Sequence, residues 1–235
     1  MALPEIVSRE EWLAARTALL GREKEVTRRI DAVNADRRRL PMVRVDTPYR
    51  FRGKDGEVTL ADLFEGRRQL IVQHVMFGLS WDDACPSCTA SVDELSVGVL
   101  RHLAARDTTF VLVSRAPYEK LDGYRARRGW TVPWYSSHGT GFNFDFDVSF
   151  DPDVKPQVYN YQPLPVVDTP ELPGLSCFLK DGDEVFHTYS TYARGADHVG
   201  SAYGFLDLTA LGRQEAWEEP TGRVDNPRVA IPDFS

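Results

Sequence analysis

The longest hydrophobic–polar pattern in the chain comes first. Ser8-x-x-Glu11 has the spacing of a capping box, in which a hydroxyl and a carboxylate each satisfy a backbone N–H at a helix start. Behind it Trp12, Leu19, Val26 and Val33 recur every seventh residue, with Ala15 and Ile30 on the neighbouring row and charged residues between. The pattern predicts a helix running to about Arg39 and ended by Pro41. Its narrow apolar stripe suits packing on the protein's own core, with docking on a second subunit, as in a homodimer, as the alternative.

From Val43 the texture changes. Tyr49 to Arg52 and Glu57 to Leu60 flank Gly53-Lys54-Asp55-Gly56, which predicts a hairpin turning at Asp55-Gly56. Leu60 to Gly66 reads as a helical turn closed by glycine. An apolar strand from Gln69 to Phe77, a helix-compatible stretch from Thr89 to about Arg106, a strand from Thr108 to Ser114 and a helix from Tyr118 to Arg128 follow. That alternation implies an α/β fold with parallel strands and right-handed crossovers. Beyond Trp130, Phe142, Phe144, Phe146, Val148 and Phe150 alternate with polar residues, which predicts another strand. A proline-rich connection runs from Pro152 to Pro173. Strands from Leu175 to Leu179 and from Glu184 to Tyr189, joined at Lys180 to Asp183, precede a last helix from Ala196 to Leu208. The chain divides into a helical extension (1–40), one α/β domain (41–211) and a proline-containing tail (212–235) expected to lie extended along the surface. No internal repeat is present.

Composition narrows the function classes. At 235 residues and a formal charge of −7 the chain lacks the basic surface of a general nucleic-acid binder. Arg28, Arg29, Arg37, Arg38 and Arg39 interleave with acids and read as a charged helix face. No run approaches the ~20 apolar residues of a membrane span. Met1 to Glu11 shows no export signal, so the expected location is cytoplasmic, without a membrane partner. Three cysteines are too few for a disulfide scaffold.

Chemistry concentrates in Cys85-Pro86-Ser87-Cys88. Two thiols three positions apart at the start of a helix can exchange disulfides or share a metal. On the redox reading Cys85, nearer the helix end, attacks and Cys88 resolves, while Pro86 suits the first helical position, where an N–H is dispensable. Asp82 and Asp83 oppose thiolate formation, and Trp81 reads either as a wall over the pair, shaping substrate access, or as a partly buried loop anchor. A structural zinc site wants four closely spaced ligands, and Cys177 with five scattered histidines does not supply them. Cys177 reads as a buried small hydrophobe and His74 as a satisfied core histidine. Asp145, Asp147, Asp151 and Asp153 read as an acidic strand face rather than a calcium site. Ser136 to Gly141 lacks nucleotide-loop spacing and a following helix, and nothing there resembles a nucleophile elbow. Trp130, Trp134, Tyr135 and Tyr189 form either part of the core or a substrate mouth.

The element order resembles a thioredoxin fold: strand, Cys-x-x-Cys helix, strand, helix, then an antiparallel hairpin and a closing helix. Phe51 to Phe77 is similar to the front end of peroxiredoxin-like and thiol-disulfide proteins. More closely, the chain resembles a family of bacterial thioredoxin-like proteins termed predicted dithiol-disulfide oxidoreductases. The matching strings are Glu11 to Arg16, Leu60 to Phe64, His74 to Phe77, Gly129-Trp130, Pro133 to Ser137 and His187 to Gly195. The resemblance implies a central mixed sheet flanked by helices and thiol–disulfide exchange without a cofactor. A small thiol or protein disulfide would be the substrate and a cellular reductant would reset the pair. Two departures stand out. The position of the usual cis-proline holds Gly174, with Pro173 one residue early. Cys85 takes the threonine position of the peroxiredoxin Thr-x-x-Cys pattern, which disfavours peroxidase activity. Some thioredoxin-fold copper proteins add a hairpin histidine to two helix cysteines. By that likeness Cys85, Cys88 and His187 would hold copper, as thiolates with imidazole suit that metal.

Overall fold

The computed structural model describes residues 5–164, 169–197 and 199–227. Helix α1 spans Arg9–Arg39. The Ser8 side chain accepts from the Glu11 N–H and the Glu11 carboxylate accepts from the Ser8 N–H, completing the expected capping box. The stripe does not pack on the protein's own core. Trp12, Leu19, Val26, Ile30 and Val33 stay between 46% and 56% exposed, and only Asn34, Ala35 and Arg38 of α1 are buried.

After a short edge strand β1 (Val43–Arg44), β2 (Arg50–Gly53) and β3 (Gly56–Thr59) make the hairpin, with Gly53 opposite Gly56. The two-residue loop is therefore Lys54-Asp55, one position earlier than expected, and Gly56 takes the positive φ of +120°. Strands β4 (Gln69–His74) and β5 (Thr108–Ser114) are buried throughout and pair in parallel. Between them the expected single helix is two, α2 (Pro86–Asp93) and α3 (Val97–Ala104). Ser96 breaks the run because its side chain caps α3 by accepting from the Val99 N–H. Helix α4 (Tyr118–Arg128) ends at Gly129, whose φ of +69° suits a left-handed cap.

Strand β6 (Trp134–Ser136) extends the parallel set, and α5 (Phe142–Asp145) replaces the expected strand. Phe142 and Phe146, four apart, share one helical face and pack together and against Phe178 and the His74 ring. The proline-rich connection carries a small hairpin, β7 (Val158–Tyr159) with β8 (Gln162–Pro163). Strands β9 (Gly174–Asp181) and β10 (Glu184–Tyr192) close the sheet, with a register shift between His187 and Tyr189. The expected last helix is a 3-10 turn (Ala193–Ala196) and a short helix α6 (Ala202–Leu206) capped by Ser201, and His198 between them lies outside the described residues.

The order β1-β10-β9-β4-β5-β6-β2-β3 gives a mixed sheet with β4 at its centre. It is a thioredoxin-like α/β fold, with helix-linked parallel strands on one side of β4 and the β9–β10 hairpin on the other. Alternating side chains load two cores. Ile71, Leu112 and Cys177 join Cys88 on one face, while Leu70, Val72, Val111 and Phe178 join Phe142 and Phe146 on the other. The tail does not run free over the surface. Arg38 pairs with buried Glu218 at 3.1 Å and donates from Nε to the Glu219 carbonyl at 2.7 Å, fastening residues 212–227 to the last turn of α1. The sole cis peptide among the described residues is Glu219–Pro220, so the bond before Pro173 is trans.

Candidate thiol site

Strand β4 delivers the chain to the sheet edge, and the loop after it places Cys85 at the start of α2. The Cys85 N–H donates to the Met76 carbonyl at 2.9 Å, and its carbonyl accepts from the Thr89 N–H at 2.9 Å. Cys85 is thus the N-cap of α2, half-buried, with Pro86 in the first helical position. As N-cap it stands at the amide end of the helix, which carries partial positive charge, although its side chain makes no capping hydrogen bond. Cys88 lies one turn in and is buried. Thr89, beside it, hydrogen-bonds the Tyr124 hydroxyl at 2.9 Å and pins α2 to α4. All three cysteines are free thiols. Burial pushes the Cys88 thiol up to about 12, neighbouring Cys85 and Glu171 push the same way, and the Met76 N–H at the sulfur opposes them.

Glu171 is the residue that the sequence did not disclose. It follows the proline-rich connection and is held by an isolated bridge to Ser149. It is 2% exposed. One carboxylate oxygen accepts from the Phe77 N–H at 2.9 Å, while the other, also buried, has no hydrogen-bond partner among the described residues. Burial raises its carboxyl to about 7, with the Phe77 N–H and Arg115 partly opposing. Successive amides, Met76 and Phe77, therefore hold the Cys88 sulfur and the Glu171 carboxylate. Tyr159 comes from strand β7 of the small hairpin. Its hydroxyl donates to the Pro173 carbonyl at 2.7 Å and accepts from the Ala193 N–H at 2.9 Å, tying the start of β9 to the turn after β10. Cys88, Ser87 and Ser91 of α2 face Pro173 and Gly174 across a cleft of about 330 Å³. A Cβ at Gly174 would lie 2.8 Å from the Tyr192 ring and 3.1 Å from Val148, so this wall requires glycine.

A model of the family described as "bacterial protein of unknown function (DUF899)" matches residues 1–227. The chain belongs to this family. No curated protein matches it. Among solved structures, peroxidoxin BcpB of Mycobacterium tuberculosis is 15% identical, covering 72% of this chain and 94% of that one, with a TM-score of 0.44. A cysteine-to-serine mutant of PrxQ from Xylella fastidiosa is 17% identical, covering 64% and 84%, with a TM-score of 0.41. The bacterioferritin comigratory protein of Xanthomonas campestris is 17% identical, covering 64% and 87%, with a TM-score of 0.40.

The other expected site residues of this DUF899 protein fall in different places. Trp81 is half-buried, packs on the core beside Cys85 and covers Gly78, where a Cβ would sit 3.2 Å from the indole. Asp82 and Asp83 are exposed, and Asp83 pairs with Arg127 at 2.7 Å. The buried carboxyl that adds to the upward push on Cys88 is Glu171, behind the larger effect of burial. Trp134 is buried and donates to Ser114 at 3.0 Å, while Trp130 packs against it at a tilt, with ring centroids 5.5 Å apart, and donates to Asp93 at 2.8 Å. With Tyr124 they make a packed cluster behind α2. Tyr189, on β10, packs against the same core as Cys88, with the Arg37 guanidinium 5.5 Å over its ring.

His187 is not brought to the thiols. Its ring packs on Phe146 and Phe178, on the sheet face opposite Cys88. Its Nε2 meets Ser190 at 2.8 Å, Ser190 meets Ser176 at 2.8 Å, and Ser176 meets His74 at 2.9 Å. Among the described residues no group of three or more His, Cys, Asp or Glu is arranged to hold a metal ion. The expected copper ligand set of Cys85, Cys88 and His187 is therefore not assembled. His74 is a core histidine but only half satisfied, since Nε2 meets Ser176 while the buried Nδ1 has no hydrogen-bond partner among the described residues, and burial drives it down to about 3. Cys177 is a buried core thiol. No helix among the described residues is long and apolar enough to cross a membrane.

Proposed function

We propose that this protein is a dithiol–disulfide oxidoreductase in which Cys85 attacks, Cys88 resolves and Glu171 accepts the Cys88 proton. The observation that carries the reading is a half-buried N-cap cysteine with a buried second thiol one turn on, and the buried Glu171 carboxyl held on the Phe77 N–H and raised by burial to about 7. The Cys85 thiolate attacks one sulfur of a substrate disulfide, forming a mixed disulfide and expelling the other sulfur as a thiolate. Cys88 then yields its proton to Glu171 and attacks the Cys85 sulfur. A Cys85–Cys88 disulfide forms and the second substrate thiolate leaves, to be protonated by Glu171 or water. The substrate gains two electrons and the protein dithiol loses them. An external thiol reductant returns the pair to its starting state.

The cleft of about 330 Å³ beside Cys88 suits a small-molecule disulfide or one protruding loop of a protein substrate. The direct test is turnover of a small disulfide with a dithiol reductant. Cys85→Ser should abolish it, and Cys88→Ser should leave a mixed disulfide on Cys85 detectable by intact mass. Turnover retained by a Cys85→Ser/Cys88→Ser double variant would remove both thiols from the reaction and overturn the assignment, whereas no turnover by wild type would favour a binding module with incidental thiols.

A further inference from the structure

Helix α1 is 31 residues long, yet only its last turns touch the body of the protein. A helix without tertiary packing is marginal in water, because most helical stability in proteins comes from burying an apolar face. Here that face is present and uncovered: Trp12, Ala15, Leu19, Val26, Ile30 and Val33 are all exposed. At 3.6 residues per turn the six fall within an arc of about 60°.

We infer that α1 pairs antiparallel with α1 of a second copy, about a two-fold axis between Arg22 and Glu23. The stripe is self-complementary in that register. Each position i lies level with 45 minus i, which sets Trp12 against Val33, Ala15 against Ile30 and Leu19 against Val26. All six stripe positions meet stripe positions, and each copy presents the same patch, as an isologous interface requires. The layers also balance in volume, since the smallest side chain, Ala15, meets a large one and the largest, Trp12, meets a valine. A parallel, in-register pair would instead stack Trp12 on Trp12 and Ala15 on Ala15. Antiparallel pairing further brings the acidic first turn, Glu10 and Glu11, level with Ala35 and Asn34, about one turn from the basic Arg37 to Arg39, and opposes the two helix dipoles.

The register accounts for apolar residues beyond the helix. Ile6 and Val7 of one copy come level with residues 38 and 39 of the other, beside its exposed Leu40, Met42 and Val43. Covering the stripe and these end residues removes on the order of 800 Å² per copy, the size of a standard stable interface.

Light scattering on the full-length protein at tens of micromolar should give twice the 26.6 kDa chain mass. Leu19→Glu/Val26→Glu, two exposed positions remote from the thiols, should give a monomer that keeps disulfide turnover while α1, left unpaired, loses part of its helix content. A monomeric wild type, or a dimer that survives the double glutamate variant, would overturn the proposal. Orientation is read by oxidative cross-linking, with wild type setting the background from Cys85, Cys88 and Cys177. Leu19→Cys/Val26→Cys should link the two copies at high yield and Leu19→Cys alone should not. Linking by the single variant would mean parallel helices and would also overturn it.

Discussion

Replacing Glu171 by glutamine tests the site at its least expected member. Glutamine keeps the shape and can still accept from the Phe77 N–H, but it cannot titrate. The native carboxyl is raised to about 7 from an ordinary 4.5, a difference of roughly 2.5 units or about 3 kcal/mol. The folded protein therefore holds a proton that the unfolded chain has lost between pH 4.5 and 7. Stability from this group falls as pH rises through that window, and the full cost is present above it. His74 acts the other way: held down to about 3, it makes the fold lose stability as pH falls below 6.5. The wild-type curve mixes the two, and the difference between wild type and Glu171→Gln isolates the carboxyl. Measured by denaturant unfolding of the reduced protein, the variant should gain about 3 kcal/mol on wild type between pH 4.5 and 8. Any fixed cost of burying an amide shifts that difference without changing its slope. A difference flat across the window would refute the buried, raised carboxyl.

The kinetic consequence follows from the same two groups. With its thiol at about 12, Cys88 alone is ionised to only about one part in 10⁵ at pH 7, whereas Glu171 is half in its base form. The resolving step, followed as thiol release from a preformed mixed disulfide on Cys85, should rise with pH to a plateau just above 7. Glu171→Gln should slow it by about 10²-fold at pH 7, the ordinary worth of a positioned base, and its rate should keep rising at higher pH. Equal rates and profiles in both proteins would remove Glu171 from the mechanism while leaving the stability argument standing.

His187→Ala should lower stability by about 1–3 kcal/mol in denaturant unfolding, by leaving the Ser190–Ser176–His74 chain without its end partner. The same variant should keep disulfide turnover within about twofold, a result that a copper site using His187 could not give. Gly174→Ala should cost about 1–3 kcal/mol in thermal unfolding, since its Cβ would overlap the Tyr192 ring at 2.8 Å. Arg38→Met should cost about 3 kcal/mol by stranding buried Glu218, and limited proteolysis should then cut within residues 212–227, which wild type should resist.

Much of the scaffold was legible because local signals agreed with it. The β-branched and aromatic run at Thr108–Ser114 and the glycine after Arg128 bounded β5 and α4 correctly. Where two periodicities fit the same residues, the pattern misled. Phe142 and Phe146 satisfy both strand alternation and a helical i, i+4 face, and packing against Phe178 and His74 selects the helix. The stripe on α1 was equally plain, but a stripe specifies a face and not its occupant, and the body of the protein leaves it uncovered.

The thiols were visible from their spacing; the buried carboxyl near Cys88 was not. Asp82 and Asp83 stand closest to Cys85 in sequence, but both face water and Asp83 already pairs with Arg127. A charge in high dielectric acts weakly even at short range, while one in the interior acts several-fold more strongly at the same distance. Glu171 reaches Phe77 from 94 residues further along the chain, out of a proline-rich segment with no periodicity to mark it. What makes it matter is burial, and burial is set by the Ser149 bridge and by the loop that precedes β9. The electrostatics of a Cys-x-x-Cys pair thus belongs to the topology that surrounds it, and the acids beside the motif are poor guides to how readily its buried thiol ionises.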